Sequence, residues 1–143
     1  MHKPYGALMV ELNEDVDIGL RVRPSQNPHT GQYPLVEASN TDKTRSWIGI
    51  TLRAGKEGEL VPVMPPYSGT VLVQVQCDET PVRTGYWVNT ENDGYFSCHA
   101  GTGEISTGMI VTPEMDEAIA PGKVVHAMVF TGRFVYDGGN YNP

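Results

Sequence analysis

The sequence predicts an all-β fold, a small β-barrel or jelly-roll-like β-sandwich with at most one short helix. Three observations predict it. Short runs rich in valine, isoleucine and aromatic residues recur along the whole chain. Gly, Pro, Asn and Asp separate them, and 16 glycines with 11 prolines supply enough tight reversals for a many-stranded fold. Helix-start and helix-stop signals coincide in one place only.

Taken in order, the strand candidates are "ALMVEL" (7–12), "GLRVR" (19–23), "YPLVEA" (33–38), "SWIGITLRA" (46–54), "ELVPVM" (59–64), "GTVLVQV" (69–75), "GYWVNT" (85–90), "YFSCHA" (95–100), "TGMIVT" (107–112), "KVVHAMVF" (123–130) and "RFVYD" (133–137). Within 69–76, Val71, Val73 and Val75 alternate with Leu72, Gln74 and Gln76, so one face is apolar and the other partly wet. Pro34 and Pro62 cannot donate to a ladder, which predicts sheet edges or bulges for their strands. "ENDGYF" (91–96) predicts a hairpin turn, because Asp93-Gly94 tolerates positive φ. The helix is expected after Thr112 as cap. Pro113 suits its first position, Glu114, Asp116 and Glu117 its positive end, and Pro121-Gly122 its stop, with Met115 and Ile119 plugging one end of the β unit.

An internal echo pairs Gly31 with Gly85, Gly49 with Gly108, and Gly58 with Gly122, at offsets of 54, 59 and 64. The drift argues against a tandem repeat, which holds its period. At 143 residues the chain has the size of one domain, 1–143, and the two ends, about 1–10 and 137–143, read as candidate arms, either flexible, frayed termini or segments that order on a partner.

Composition excludes several functions. With 39% hydrophobic and 19% charged residues the chain is globular, and no apolar run nears the ~18 residues of a spanning helix. The start lacks a secretion-signal layout, so synthesis in the cytoplasm is expected, with no membrane partner. A net charge of -7 repels phosphate backbones, which argues against nucleic acid. Arg21, Arg23, Arg45, Arg53 and Arg83 are scattered and read as solvated or ion-paired. Cys77 and Cys98 fit neither zinc-ribbon nor thioredoxin spacing and read as free thiols in reducing cytosol.

His2, His29, His99 and His126 lack metal-ligand spacing, so no metal is expected. His126 shares a strand face with Val124 and Met128 and reads as buried and satisfied. "GTGEISTG" (101–108) lacks the lysine and hydroxyl of a phosphate loop and reads as a flexible connection. No nucleophile elbow is present. The expectation is no enzyme, no catalytic residue and no cofactor.

Two resemblances bear on function. "PPYSGTVLVQVQCDETPVRTGYWV" (65–88) resembles the hairpin of biotinyl or lipoyl carrier domains, but its following tip offers Asn92, Asp93 and Gly94 where a carrier presents the modified lysine. Lys56 and Lys123 lie far outside, which excludes a carrier. "IGITLRAGKEGELVPVMPPYSGTVLVQV" with "PVRTGYWVNTENDGYFSCHA" is similar to tailed-bacteriophage capsid decoration, or cement, proteins. Residues 48–50, 58–63, 69–75 and 82–100 supply the family's successive glycine-valine elements, about half of the chain. Tyr86 departs from the acid common in the family, and the first forty residues and "DGGNYNP" have no counterpart.

The resemblance implies a virion structural protein that binds the outside of an icosahedral phage capsid and bridges capsomers. Its partners would be the major capsid protein and its own copies, as a trimer or, less favoured, a dimer. Tyr5, Leu8, Met9 and Tyr141, near the chain ends, are the candidate capsid or subunit contacts. The alternatives are a β-barrel binding module, a tail or baseplate component, or a small β-barrel enzyme.

Overall fold

Among the described residues, ten β-strands close into two five-stranded barrels of identical topology. The computed structural model describes residues 6–26, 29–39, 47–66, 68–76, 87–97, 105–112 and 124–135. The first barrel comprises β1 (Leu8–Leu12), β2 (Arg21–Pro24), β3 (Leu35–Ala38), β4 (Gly49–Thr51) and β5 (Leu60–Met64). The second comprises β6 (Gly69–Gln76), β7 (Trp87–Thr90), β8 (Phe96–Ser97), β9 (Ile105–Thr112) and β10 (Val124–Val135). The first ring runs β1-β3-β2-β4-β5 and the second β6-β8-β7-β9-β10. In each, the first and third strands pair in parallel and the other four contacts are antiparallel.

The register makes the duplication residue-specific. Leu12 faces Val36 as Val75 faces Phe96; Val22 faces Gly49 as Val88 faces Gly108; Thr51 faces Val63 as Ile110 faces Val129. Gly49 and Gly108 also do the same work. A Cβ on Gly49 would stand 2.6 Å from Val63 Cγ2 and 3.0 Å from the Met64 carbonyl oxygen; on Gly108 it would stand 2.6 Å from Val129 Cγ1 and 3.0 Å from the Phe130 carbonyl oxygen. The tandem repeat discounted in the sequence is therefore real. Its period drifts because loops differ in length between the halves, while each strand keeps its partner.

Valine alternation builds both interiors. Val10, Leu12, Val22, Val36, Val61 and Val63 fill the first barrel, and Val71, Val73, Val75, Val88, Ile110, Ala127 and Val129 the second, all buried. Fully burying such a side chain contributes roughly 1.5–3 kcal/mol.

Several expectations need correction. Pro62 is not at an edge, since β5 pairs with β1 and β4 on its two sides. Its missing donor is tolerated because β4 stops at Thr51, and the Pro62 carbonyl accepts from Leu52 N–H at 3.0 Å. The two strands expected at 123–130 and 133–137 are replaced, over the described residues, by one strand, β10 (Val124–Val135), with a register shift between Thr131 and Phe134. Half of the presumed connection 101–108 is strand, in β9. His126 is exposed, because the buried face of β10 is that of Val125, Ala127 and Val129.

The turn at 91–96 forms as expected. A short 3-10 turn, Asn92–Gly94, joins β7 to β8, with Asp93 at φ 60° and Gly94 at φ 86°. The expected helix at 113–121, Cys77, Cys98, Arg45 and Arg83 lie outside the described residues.

Candidate interaction surfaces

Two surfaces stand out: the seam between the barrels, which is filled, and an apolar outer face of the second barrel, which is open.

The seam is built around Arg21, which lies opposite Ile50 on the outer side of the first barrel and is 1% exposed. Its guanidinium donates to the carbonyl oxygens of Tyr95 (2.9 Å from Nη2) and Glu91 and to Ser39 Oγ (3.3 Å), and stands 5.5 Å over the Phe96 ring. Burial lowers its pKa to about 10, with the Glu91 charge opposing the shift, so it remains cationic at neutral pH. The expectation of a solvated or ion-paired arginine does not hold here. The fork geometry of guanidinium lets one side chain satisfy several carbonyls of a partner loop.

Around Arg21 the two barrels share a core. Ile50 joins the second barrel's interior cluster, and Trp47, Leu52 and Met64 pack against that cluster. Trp47 meets Phe96 edge-on, with centroids 6.1 Å apart at 84°, while Tyr95 packs back against the first core. Backbones also touch: Gln74 N–H donates to the Gly19 carbonyl and Gly94 N–H to the Ser39 carbonyl, at 2.9 and 2.8 Å. Gln74, expected to be wet, is buried because its amide donates to Asp17 Oδ2 and the Ile18 carbonyl.

Arg23 and Arg53 pair with Glu37 and Glu59, each at 3.5 Å. Arg23 is 3% exposed, and its Nε and Nη1 are buried without a hydrogen-bond partner.

The open surface is the outer side of β6, β9 and β10. Leu72 lies opposite Met128, and Phe130 opposite Met109. Leu72 and Val111 are 36% exposed and Phe130 43%. In "VLVQV" and "VHAMVF" the outward positions could be read as apolar, but nothing in the sequence separates a covered outer face from an open one.

Of the contacts expected from sequence, Leu8 and Met9 lie in β1, opposite Val63 and Pro62. Leu8 is 39% exposed and Met9 half-buried. Tyr5 and Tyr141 fall outside the described residues. Among the described residues no cluster of three or more His, Cys, Asp or Glu could hold a metal ion, and no helix is long and apolar enough to cross a membrane.

No protein-family profile matches the chain, and no curated protein sequence matches it. Among solved structures it is similar to the N base of the head fiber protein gp8.5 of bacteriophage phi29. That likeness has 11% identity and a TM-score of 0.51, and spans 88% of this chain and 92% of that one. It is a likeness of fold, and it extends over nearly the full length of both chains.

Proposed function

We propose that the chain is a structural component of a bacteriophage particle, one that binds the outer surface of the head and ties neighbouring capsomers together. The observation that carries this reading is the fold shared with a phage head-fiber base along 88% of the chain. The glycine-valine pattern resembling capsid decoration proteins points the same way from a different direction. In this reading no residue is catalytic. The major capsid protein is the partner, and work is done by the shape and chemistry of surfaces held rigid by two fused barrels. Bridging several seams at once makes individually weak contacts strong, because the second contact forms at high effective concentration. A net charge of -7 suits a protein that sits outside the shell, away from the packaged genome.

The test is sedimentation with phage heads that lack the chain. Purified protein should pellet with the heads in a fixed ratio and raise the temperature at which they release DNA. Absence from the pellet at saturating protein would refute the proposal. The resemblance to a fiber base also supports a second reading, in which the chain anchors a projecting fiber. Electron microscopy of decorated heads separates the two, since an anchor would carry a filament and a cement would not.

A further inference from the structure

The shortest strand of the second ring is β8, two residues long. Among the described residues two pairs tie it to β6 and two to β7, yet it carries Phe96, which lies beneath the Arg21 guanidinium. The β6–β8 ladder is parallel, and its last described pair sets Gln76 opposite Ser97. In the sequence a cysteine follows each of these residues, Cys77 after Gln76 and Cys98 after Ser97, and the chain has no others. Parallel neighbours stand about 4.8 Å apart, and a disulfide links Cα atoms about 4.4–6.8 Å apart. The first barrel shows how far such a pairing runs. Leu12 opposite Val36 corresponds to Val75 opposite Phe96, so two positions further on Glu14 and Ala38 correspond to Cys77 and Cys98. There the Asn13 N–H donates to the Val36 carbonyl at 2.8 Å, and the Ala38 N–H to Glu14 Oε1 at 2.9 Å. Two steps past that pair, the strands of the first barrel are still within one side chain's reach.

We propose that Cys77 and Cys98, which lie outside the described residues, form a disulfide just beyond the described ends of β6 and β8. The chemistry is thiol–disulfide exchange. One cysteine thiolate attacks a sulfur of a small disulfide such as oxidised glutathione, forming a mixed disulfide and releasing one glutathione thiol. The other thiolate then attacks the protein sulfur of that intermediate, forms the Cys77–Cys98 bond and releases the second glutathione thiol. Two protein thiols are oxidised, one glutathione disulfide is reduced, and the two protons leave on the glutathione thiols. Reducing cytosol keeps the pair as thiols during synthesis, so the bond forms when the chain meets an oxidant. The two cysteines are 21 positions apart, and the loop they close contains β7, the Asn92–Gly94 turn and β8. Those elements supply the Glu91 and Tyr95 carbonyls and the Phe96 ring that receive Arg21. The bond thus staples the acceptor side of the seam to β6. It needs no phage head, so it and the head-binding reading fail separately.

The test is oxidation of the purified full chain in glutathione buffers, folded and in urea. The folded chain should become two hydrogen masses lighter, lose both sites of maleimide labelling, and yield a cross-linked peptide containing Cys77 and Cys98 after digestion without reductant. In urea the same extent of oxidation should need a glutathione buffer more oxidising by roughly 30- to 900-fold, since a bond that stabilises the fold is favoured by the fold to the same degree. Oxidised wild type should melt roughly 7–13 °C above the reduced chain. Cys77→Ser should keep one labelled thiol and melt at the same temperature in both buffers; if it does not fold, the wild-type comparison decides alone. Two labelled thiols in the oxidised folded chain, bonds formed only between chains, oxidation no easier folded than in urea, or a Tm that does not rise would each overturn the inference.

Discussion

Alanine at Gly49 or Gly108 should destabilise the protein, although chain entropy alone says otherwise. Neither glycine is among those at positive φ, so alanine meets no backbone strain, and stiffening the unfolded chain would then stabilise by about 0.4–1 kcal/mol. The new methyl at Gly49, however, would stand 2.6 Å from Val63 Cγ2 and 2.8 Å from Val63 Cβ. Val63 is fully buried in a closed barrel, its β-branched χ1 is restricted, and its neighbours leave little room for it to turn away. Overpacking of this kind costs about 1–3 kcal/mol, which leaves a net loss of about 1–2 kcal/mol. For 143 residues at about 2.1 cal/mol/K each, that lowers Tm by roughly 3–7 °C. Gly108→Ala should lose a similar amount, because Val129 Cγ1 stands at the same 2.6 Å. The double variant should lose the sum, since the two methyls share no neighbour. Adding Val63→Ala to Gly49→Ala should restore part of the loss while leaving Gly108→Ala unrelieved. Thermal and urea melts of the five variants decide the matter. A Tm at or above wild type for either glycine variant, or opposite signs for the two, would refute the claim that the barrels repeat one packing solution.

Three further outcomes follow from the seam and the strands. Arg21→Ala should lose about 3–5 kcal/mol in urea unfolding, because it leaves the Tyr95 and Glu91 carbonyls and the Phe96 face without their cation, and Arg21→Lys should fall between. Gly58→Ala should lose only the roughly 1–2 kcal/mol of a left-handed residue, since its Cβ would meet nothing within 4 Å; Gly94→Ala should lose more, its Cβ standing 2.8 Å from the Arg21 carbonyl oxygen across the seam. His126→Ala should change stability by no more than about 0.5 kcal/mol, as expected of an exposed strand position.

The strands were legible because each is a valine-rich run bounded by turn residues, and the Asp93-Gly94 hairpin because few residues accept positive φ. Ring closure was not legible. It depends on β1 pairing in parallel with β3 and β6 with β8, and no local pattern encodes a partner that far along the chain. The repeat was half visible. Gly49 and Gly108 occupy matching places, but Gly31 precedes β3 while Gly85 precedes β7, so a comparison of glycines by order mixed unlike elements. His126 was assigned the wrong face because Val124, His126 and Met128 read as apolar as Val125, Ala127 and Val129 do, and period-2 alternation says only that the faces differ. Arg21 was missed as a seam residue because its partners are backbone carbonyls about 70 positions away, and carbonyls leave no mark in composition.

Only residues 65–68 connect β5 to β6, and two of the four are prolines. Combined with a seam that interleaves rings, a guanidinium and main-chain amides from both halves, so brief a tether makes the pair behave as a strut. Bending at the waist would have to break Arg21 away from the Tyr95 and Glu91 carbonyls at once. In the role proposed above, on the outside of a phage head, that stiffness would turn local grip into resistance to being prised off.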